Sequence, residues 1–161
     1  MEFLDARRLP GPNVLWDRPG AILDVACSAE EAERLLPYCD ERLRQMLDAV
    51  GWGDESIRHR HLASGVSVAF SAPIDALYAA SAIAEWLWAC CDAEFNGAEL
   101  PAFDSAVHEI RDAIAGEVNP PLVDLRPGAA DHGGAFLWDD DGGSVGRGDG
   151  SRSWPCGVLP G

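Results

Sequence analysis

The sequence predicts an α+β fold: a small mixed or antiparallel sheet packed against about three helices, with a Gly-rich hairpin or tail at the C-terminus. Three observations predict it. Short apolar or alternating stretches, each bounded by Gly, Pro or Asn, read as strands. Longer stretches with apolar residues at helical spacing read as helices. The chain has 161 residues, 47% of them hydrophobic and six of them Trp, enough to bury a sizeable core in one domain.

The elements follow in order. Glu2 to Leu9 reads as a first strand that stops at the turn-rich cluster Pro10-Gly11-Pro12-Asn13. Ala21 to Ala26 reads as a second strand after the Pro19-Gly20 turn, with Asp24 exposed near one edge. Ser28-Ala29-Glu30-Glu31 is a capping-box pattern, in which Ser28 caps an amide and Glu31 reaches back. The helix it opens is expected to be disturbed at Pro37, to continue through Leu43, Met46, Leu47 and Val50, and to stop at Gly51-Trp52-Gly53. Ser56 to Leu62 and Val66 to Ser71 read as strands joined in a hairpin by Ala63-Ser64-Gly65, with Val66, Val68 and Phe70 on one face.

Pro73-Ile74-Asp75 is expected to open the strongest helix, running to about Phe95. It is apolar almost all round, the mark of a central buried helix, and its one polar stripe is Tyr78, Ser81, Glu85 and Asp92. A last helix spans about Asp104 to Val118 on the core stripe Val107, Ile110 and Ile114, and Asn119-Pro120-Pro121 ends it. Beyond it the composition shifts to Gly, Ala and Pro, then Phe136-Leu137-Trp138, the acidic triplet Asp139-Asp140-Asp141, and a Gly-rich run to Gly150. The division is therefore an α+β domain over 1–125 and a Gly-rich acidic extension over 126–161, in which Asp141-Gly142-Gly143 weakens any strand after the triplet. No internal repeat is visible in the sequence.

Charge narrows the partners. Twelve basic residues stand against 27 acidic ones, a net of −15, which argues against nucleic acid and anionic membrane, since both need a positive footprint. All twelve basic residues are Arg, which removes Schiff-base chemistry and the phosphate-loop lysine from this chain. The five Cys are odd in number, two of them adjacent, with no CxxC pair, so neither a disulfide framework nor a zinc knuckle is suggested. Cys90 and Cys91 sit in an apolar helical stretch and read as small hydrophobes, and the usage fits a reducing compartment. The N-terminal segment has no apolar core of a signal peptide. The most apolar stretch, Ala76 to Cys91, is interrupted by Ser81 and Glu85 and is short for a membrane span. A cytoplasmic protein is the expectation.

Four groups invite a chemical reading. His59 and His61 alternate on a strand, so their rings share a face that can offer two nitrogens to a metal, but no third ligand is evident; exposed strand residues are the default. Asp139-Asp140-Asp141 has oxygen ligands for a hard cation but no EF-hand spacing, and reads as a solvated turn. The run from Gly142 to Gly150 resembles a phosphate loop only in its glycines: the lysine is missing, and Ser153-Trp154-Pro155 is no helix start. Glu85 stands on a helix of Ala, Leu, Ile and Trp, where a buried carboxylate is costly unless paired, and Arg8 is the expected partner if Glu85 is not simply exposed.

Several stretches carry a family resemblance. They are Arg7-Arg8-Leu9-Pro10-Gly11-Pro12-Asn13-Val14-Leu15-Trp16 with Asp17-Arg18-Pro19-Gly20-Ala21, then Ala69 to Ala80 with Glu85-Trp86, then Phe136 to Asp141, Ser144-Val145-Gly146 and Gly150 to Pro155. In order along nearly the whole chain, they look like the N-terminal region of cyanophycin synthetase-like Mur ligase family proteins. The resemblance implies an accessory domain. In that family the ligase machinery follows this region and opens with a GTNGKT-type phosphate loop, joining amino acids by amide bonds through an acyl phosphate. No such loop is present here, so the resemblance implies no cofactor in this chain, and ATP and Mg only for a ligase domain in the same or another chain. The chain departs from the family at Ser81, Ala84 and Glu85, where the cyanophycin synthetases proper carry His in the central helix.

The expectation is a noncatalytic domain for substrate or polymer binding, or for assembly, with no catalytic residue and no metal site. Its candidate substrate-binding residues are Arg8, Asn13, Tyr78, Ser81 and Glu85. Its partners are the ligase domain and an amino-acid or peptide polymer whose carboxylates the early-strand arginines can hold. The alternatives are a small stand-alone enzyme using Glu85 with nearby Arg or His, and an acidic module that meets a cationic partner.

Overall fold

A computed structural model describes residues 1–118, together with the strands Ala135–Trp138, Gly142–Gly146 and Arg152–Pro155. The first group builds β1 (Glu2–Leu9), β2 (Gly20–Ala26), α1 (Ala29–Ala49), β3 (Ile57–Leu62), β4 (Gly65–Ser71), α2 (Leu77–Asn96) and α3 (Phe103–Glu117). The strands form one four-stranded sheet in the order β1-β2-β4-β3, antiparallel throughout. This is the expected α+β fold, with the sheet resolved as antiparallel.

The order β-β-α occurs twice, as β1-β2-α1 and β3-β4-α2, although the sequence carries no repeat. The halves join at the β2–β4 ladder, where Leu23 lies opposite Val68, midway along both strands. The first residues of these strands, Gly20 and Gly65, occupy equivalent places. A Cβ on Gly20 would lie 2.0 Å from the Phe70 carbonyl oxygen, and one on Gly65 would lie 2.1 Å from that of Val25. Each strand enters the ladder so close to the other's backbone that only glycine fits.

Alternation puts Ala21, Leu23 and Val25 of β2 and Val66, Val68 and Phe70 of β4 on one face, all fully buried. α1 lays Leu35, Cys39, Leu43, Met46 and Leu47 into the same core, and α2 adds Ala80, Ile83, Ala84 and Leu87. The expected capping box is present: the Glu31 amide donates to the Ser28 hydroxyl, and the Ser28 amide donates to the Glu31 carboxylate at 2.7 Å. Pro37 does not disturb α1, which runs unbroken. The proline lies on the exposed face, where water can satisfy the carbonyl it frees, while the buried stripe on either side holds the axis.

The start of α2 also differs from expectation. Pro73 and Asp75 lie in a turn before the helix, and Ala76 at the cap position has no side-chain acceptor to offer. Glu117, at the far end of α3, takes that role: its two carboxylate oxygens accept from the amides of Tyr78 at 2.8 Å and Ala79 at 2.6 Å. The cap comes from 38 residues away in sequence, beyond the reach of a local pattern. Gly97, with φ +78°, closes α2 in the left-handed conformation. No described helix is long and apolar enough to cross a membrane.

The C-terminal strands β5 (Ala135–Trp138), β6 (Gly142–Gly146) and β7 (Arg152–Pro155) form a second antiparallel sheet in the order β5-β6-β7. Gly142 and Gly143 were expected to weaken a strand, yet both belong to β6. A glycine brings a full backbone donor and acceptor, and β6 is paired on both sides, so the ladder forms without help from side chains. The acidic triplet, the 126–134 and 147–150 segments and Cys156 lie outside the described residues.

Candidate functional site

The outer strand β3 carries Arg58, His59, Arg60 and His61, all exposed, two guanidiniums alternating with two imidazoles in a chain of net charge −15. In the described sheet β3 is hydrogen-bonded on one side only, to β4, so its other edge presents backbone donors and acceptors to the surroundings. Register fixes where the side chains go. Arg58 and Arg60 lie opposite Ala69 and Ser67, on the face away from the helices, whereas His59 and His61 lie opposite Val68 and Val66, on the helix side.

Two of the four are held in place. The Arg58 guanidinium lies 5.6 Å from the centre of the Trp16 ring. Trp16 belongs to the β1–β2 connection, which Asn13 folds up: its Oδ1 accepts from the Leu15 and Trp16 amides, and its Nδ2 donates to the Gly11 and Arg18 carbonyls. Arg18 then reaches Ser56 at the entry to β3. His59 Nε2 meets the Asp40 carboxylate of α1 at 2.8 Å. Arg60 and His61 make no hydrogen bond, ion pair or ring contact among the described residues. The other edge is electrically balanced: Arg7 of β1 binds Asp5 at 2.7 Å and Asp24 of β2 at 2.5 Å. Hydrogen bonding to Asp24, above all, raises Arg7 over the ordinary guanidinium range.

The five residues singled out in the sequence fall in separate places. Arg8 and Tyr78 do meet, with the guanidinium 4.0 Å from the ring centre. Asn13 spends its side chain on the turn just described. Ser81 is half-buried on α2, and Glu85 is exposed. Glu85 therefore needs no buried partner. It lines a groove of about 470 Å³ between α2 and α3, with Trp86 and four alanines in its wall and Ser105 and Glu109 of α3 beside it. Among the described residues that line the groove there is no arginine or histidine. His59 and His61 share a face as expected, but no group of three or more His, Cys, Asp and Glu that could hold a metal occurs among the described residues.

In the sequence, the histidines of β3 stand out ahead of the arginines that flank them. The signal was present: SIRHRHL alternates Arg with His in a chain where acidic residues far outnumber basic ones. What it lacked was the knowledge that this strand forms the edge of the sheet. Neither a known family model nor a curated protein matches the chain.

Proposed function

We propose that this chain is a noncatalytic accessory domain of an ATP-dependent amide ligase resembling the cyanophycin synthetase-like Mur ligases, and that it holds a carboxylate-bearing peptide or polymer for that ligase. ATP and magnesium belong to the ligase unit, in the same or another chain, and the setting is cytoplasmic. One observation carries the binding reading: two guanidiniums, Arg58 and Arg60, alternating with two imidazoles on a sheet edge that is unpaired among the described residues of a strongly acidic protein. An extended acidic peptide can lie along β3 as an added strand, taking main-chain hydrogen bonds from the free edge. Its alternate side chains then meet Arg58 and Arg60 on one face and His59 and His61 on the other, at the two-residue period of a strand. Guanidinium groups pair with carboxylates through charge-assisted, bidentate contacts, which supplies selectivity for acid over amide.

The test is a low-salt titration with oligo-aspartate, read by Trp fluorescence and calorimetry, with oligo-asparagine as the neutral control. Oligo-aspartate is expected to bind and oligo-asparagine not to, with affinity falling as salt rises. The R58A/R60A double variant is expected to lose about tenfold or more in affinity, the scale of two lost charge-assisted contacts. Equal binding of both peptides, or a double variant that binds oligo-aspartate as well as the parent, would reject the β3 site.

A further inference from the structure

The two helices that close the core meet at a pair of sulfurs. Cys39 of α1 and Cys91 of α2 lie with their Sγ atoms 3.5 Å apart, both fully buried. They come from different β-β-α halves, 52 residues apart. Cys90, the neighbour of Cys91, is turned to a different use: its carbonyl accepts the Tyr38 hydroxyl at 3.2 Å. We propose that Cys39 and Cys91 are a latent disulfide, a modification site that locks α1 to α2 when the chain meets an oxidant.

The geometry is close to what the bond needs. A disulfide requires the sulfurs to approach by about 1.5 Å, within reach of small side-chain rotations where two thiols already touch. The chemistry is thiol–disulfide exchange with a small-molecule disulfide. One cysteine thiolate attacks a sulfur of that molecule and releases one small thiolate, leaving a mixed disulfide. The second cysteine attacks the protein-bound sulfur of the mixed disulfide and releases the other. The protein pair loses two electrons, the small disulfide gains them, and the two protons end on the released thiols.

Burial makes the pair slow rather than inert. The Cys91 sulfur and the loss of water push the Cys39 thiol far above the ordinary range, so little thiolate exists in the closed protein. The reaction must pass through opening of α1 from α2 or through refolding. Once formed, the bond closes a long loop and lies out of reach of reductant until the helices part. In a reducing compartment both sulfurs stay as thiols. Under oxidation the two halves, otherwise joined through the β2–β4 ladder and helix packing, become covalently tied.

The test is refolding of the full chain from urea in a glutathione redox buffer, in the parent and in a C27A/C90A/C156A variant that keeps only this pair. The expected product is 2 Da lighter, carries a Cys39–Cys91 cross-link in peptide maps, and melts about 10 °C higher than the same protein unfolded and refolded in excess reductant. C91A, whose methyl fills much of the same volume, is expected to fold and to show neither the mass change nor the gain. Both thiols remaining free in the folded product, or a cross-link that maps to Cys90, would overturn the proposal.

Discussion

The first half, β1-β2-α1, and the second, β3-β4-α2, share element order and one central ladder, and they differ in how each finishes its helix and its outer edge. α1 carries its own cap, Ser28 and Glu31, and is apolar on one stripe only. α2 has no cap of its own and is buried on two sides, because α3 packs against it and brings Glu117 to its first turn. β1 neutralises Arg7 with Asp5 and Asp24 and lays Arg8 over the Tyr78 ring, while β3 leaves Arg60 exposed and unpaired among the described residues. The first half supplies its own helix cap and the carboxylates of its own edge, although α1 packs against β3, β4 and α2 of the second. The second depends on distant residues for its stability and keeps free charge at its edge, where a partner can use it.

What the halves share gives the largest effect. Gly20→Ala and Gly65→Ala each force a methyl into a carbonyl across the ladder, at 2.0 and 2.1 Å respectively. Each is expected to cost about 3 kcal/mol or more, since both approaches are made by backbone that cannot step aside. Urea unfolding followed by circular dichroism measures this. A large cost at one glycine with less than about 1 kcal/mol at the other would mean that the halves are not equivalent at the ladder.

The caps come next. Removing Glu117 as E117A strips an anion and two acceptors from the start of α2, and is expected to cost about 1–2 kcal/mol. S28A, at the start of α1, is expected to cost about 1 kcal/mol. The α1 cap has a pH signature as well. Hydrogen bonds from the Ser28 backbone and then its hydroxyl, with help from the Met1 ammonium, lower Glu31 below the ordinary glutamate range. A carboxyl held lower in the folded state than in the unfolded one stabilises the fold above the unfolded value, and that contribution is lost as pH falls through the folded value. E31Q is therefore expected to fall less in melting temperature than the parent on acidification through that range. An unchanged acid slope in E31Q would separate the cap from the acid sensitivity of the fold.

Most of the fold was legible in the sequence because its signals are local. The Ser28–Glu31 box, the Ala63-Ser64 hairpin and the Val66-Val68-Phe70 alternation each sit within a few residues. The departures have non-local causes. Pro37 is tolerated because the opposite face of its helix is anchored in a core the proline does not touch. α2 begins later than Pro73-Ile74-Asp75 suggests because its cap lies on another helix. β6 includes Gly142 and Gly143 because strands on both sides pair it. The candidate site was the least legible part. Arg8 and Tyr78 do come together, but Asn13 serves a turn and Glu85 faces a separate groove. The cationic strip on β3 acquires its meaning only from strand order, which no short window of sequence contains.

The two edges give the smallest stability effects and the sharpest separation. R7A leaves Asp24 with a side chain only 14% exposed and without its main cation, and is expected to cost about 1 kcal/mol. R60A removes a side chain with no described partner, and is expected to change stability by less than about 0.5 kcal/mol. Binding should rank them the other way: R60A weakens the oligo-aspartate interaction, while R7A, whose charge is already spent on two carboxylates, leaves it near the parent value. Stability and affinity measured on the same two proteins thus distinguish a cation used to hold the sheet together from one left for a ligand. If R7A loses binding and R60A does not, the recognising edge is β1, and the asymmetry between the halves belongs to folding alone.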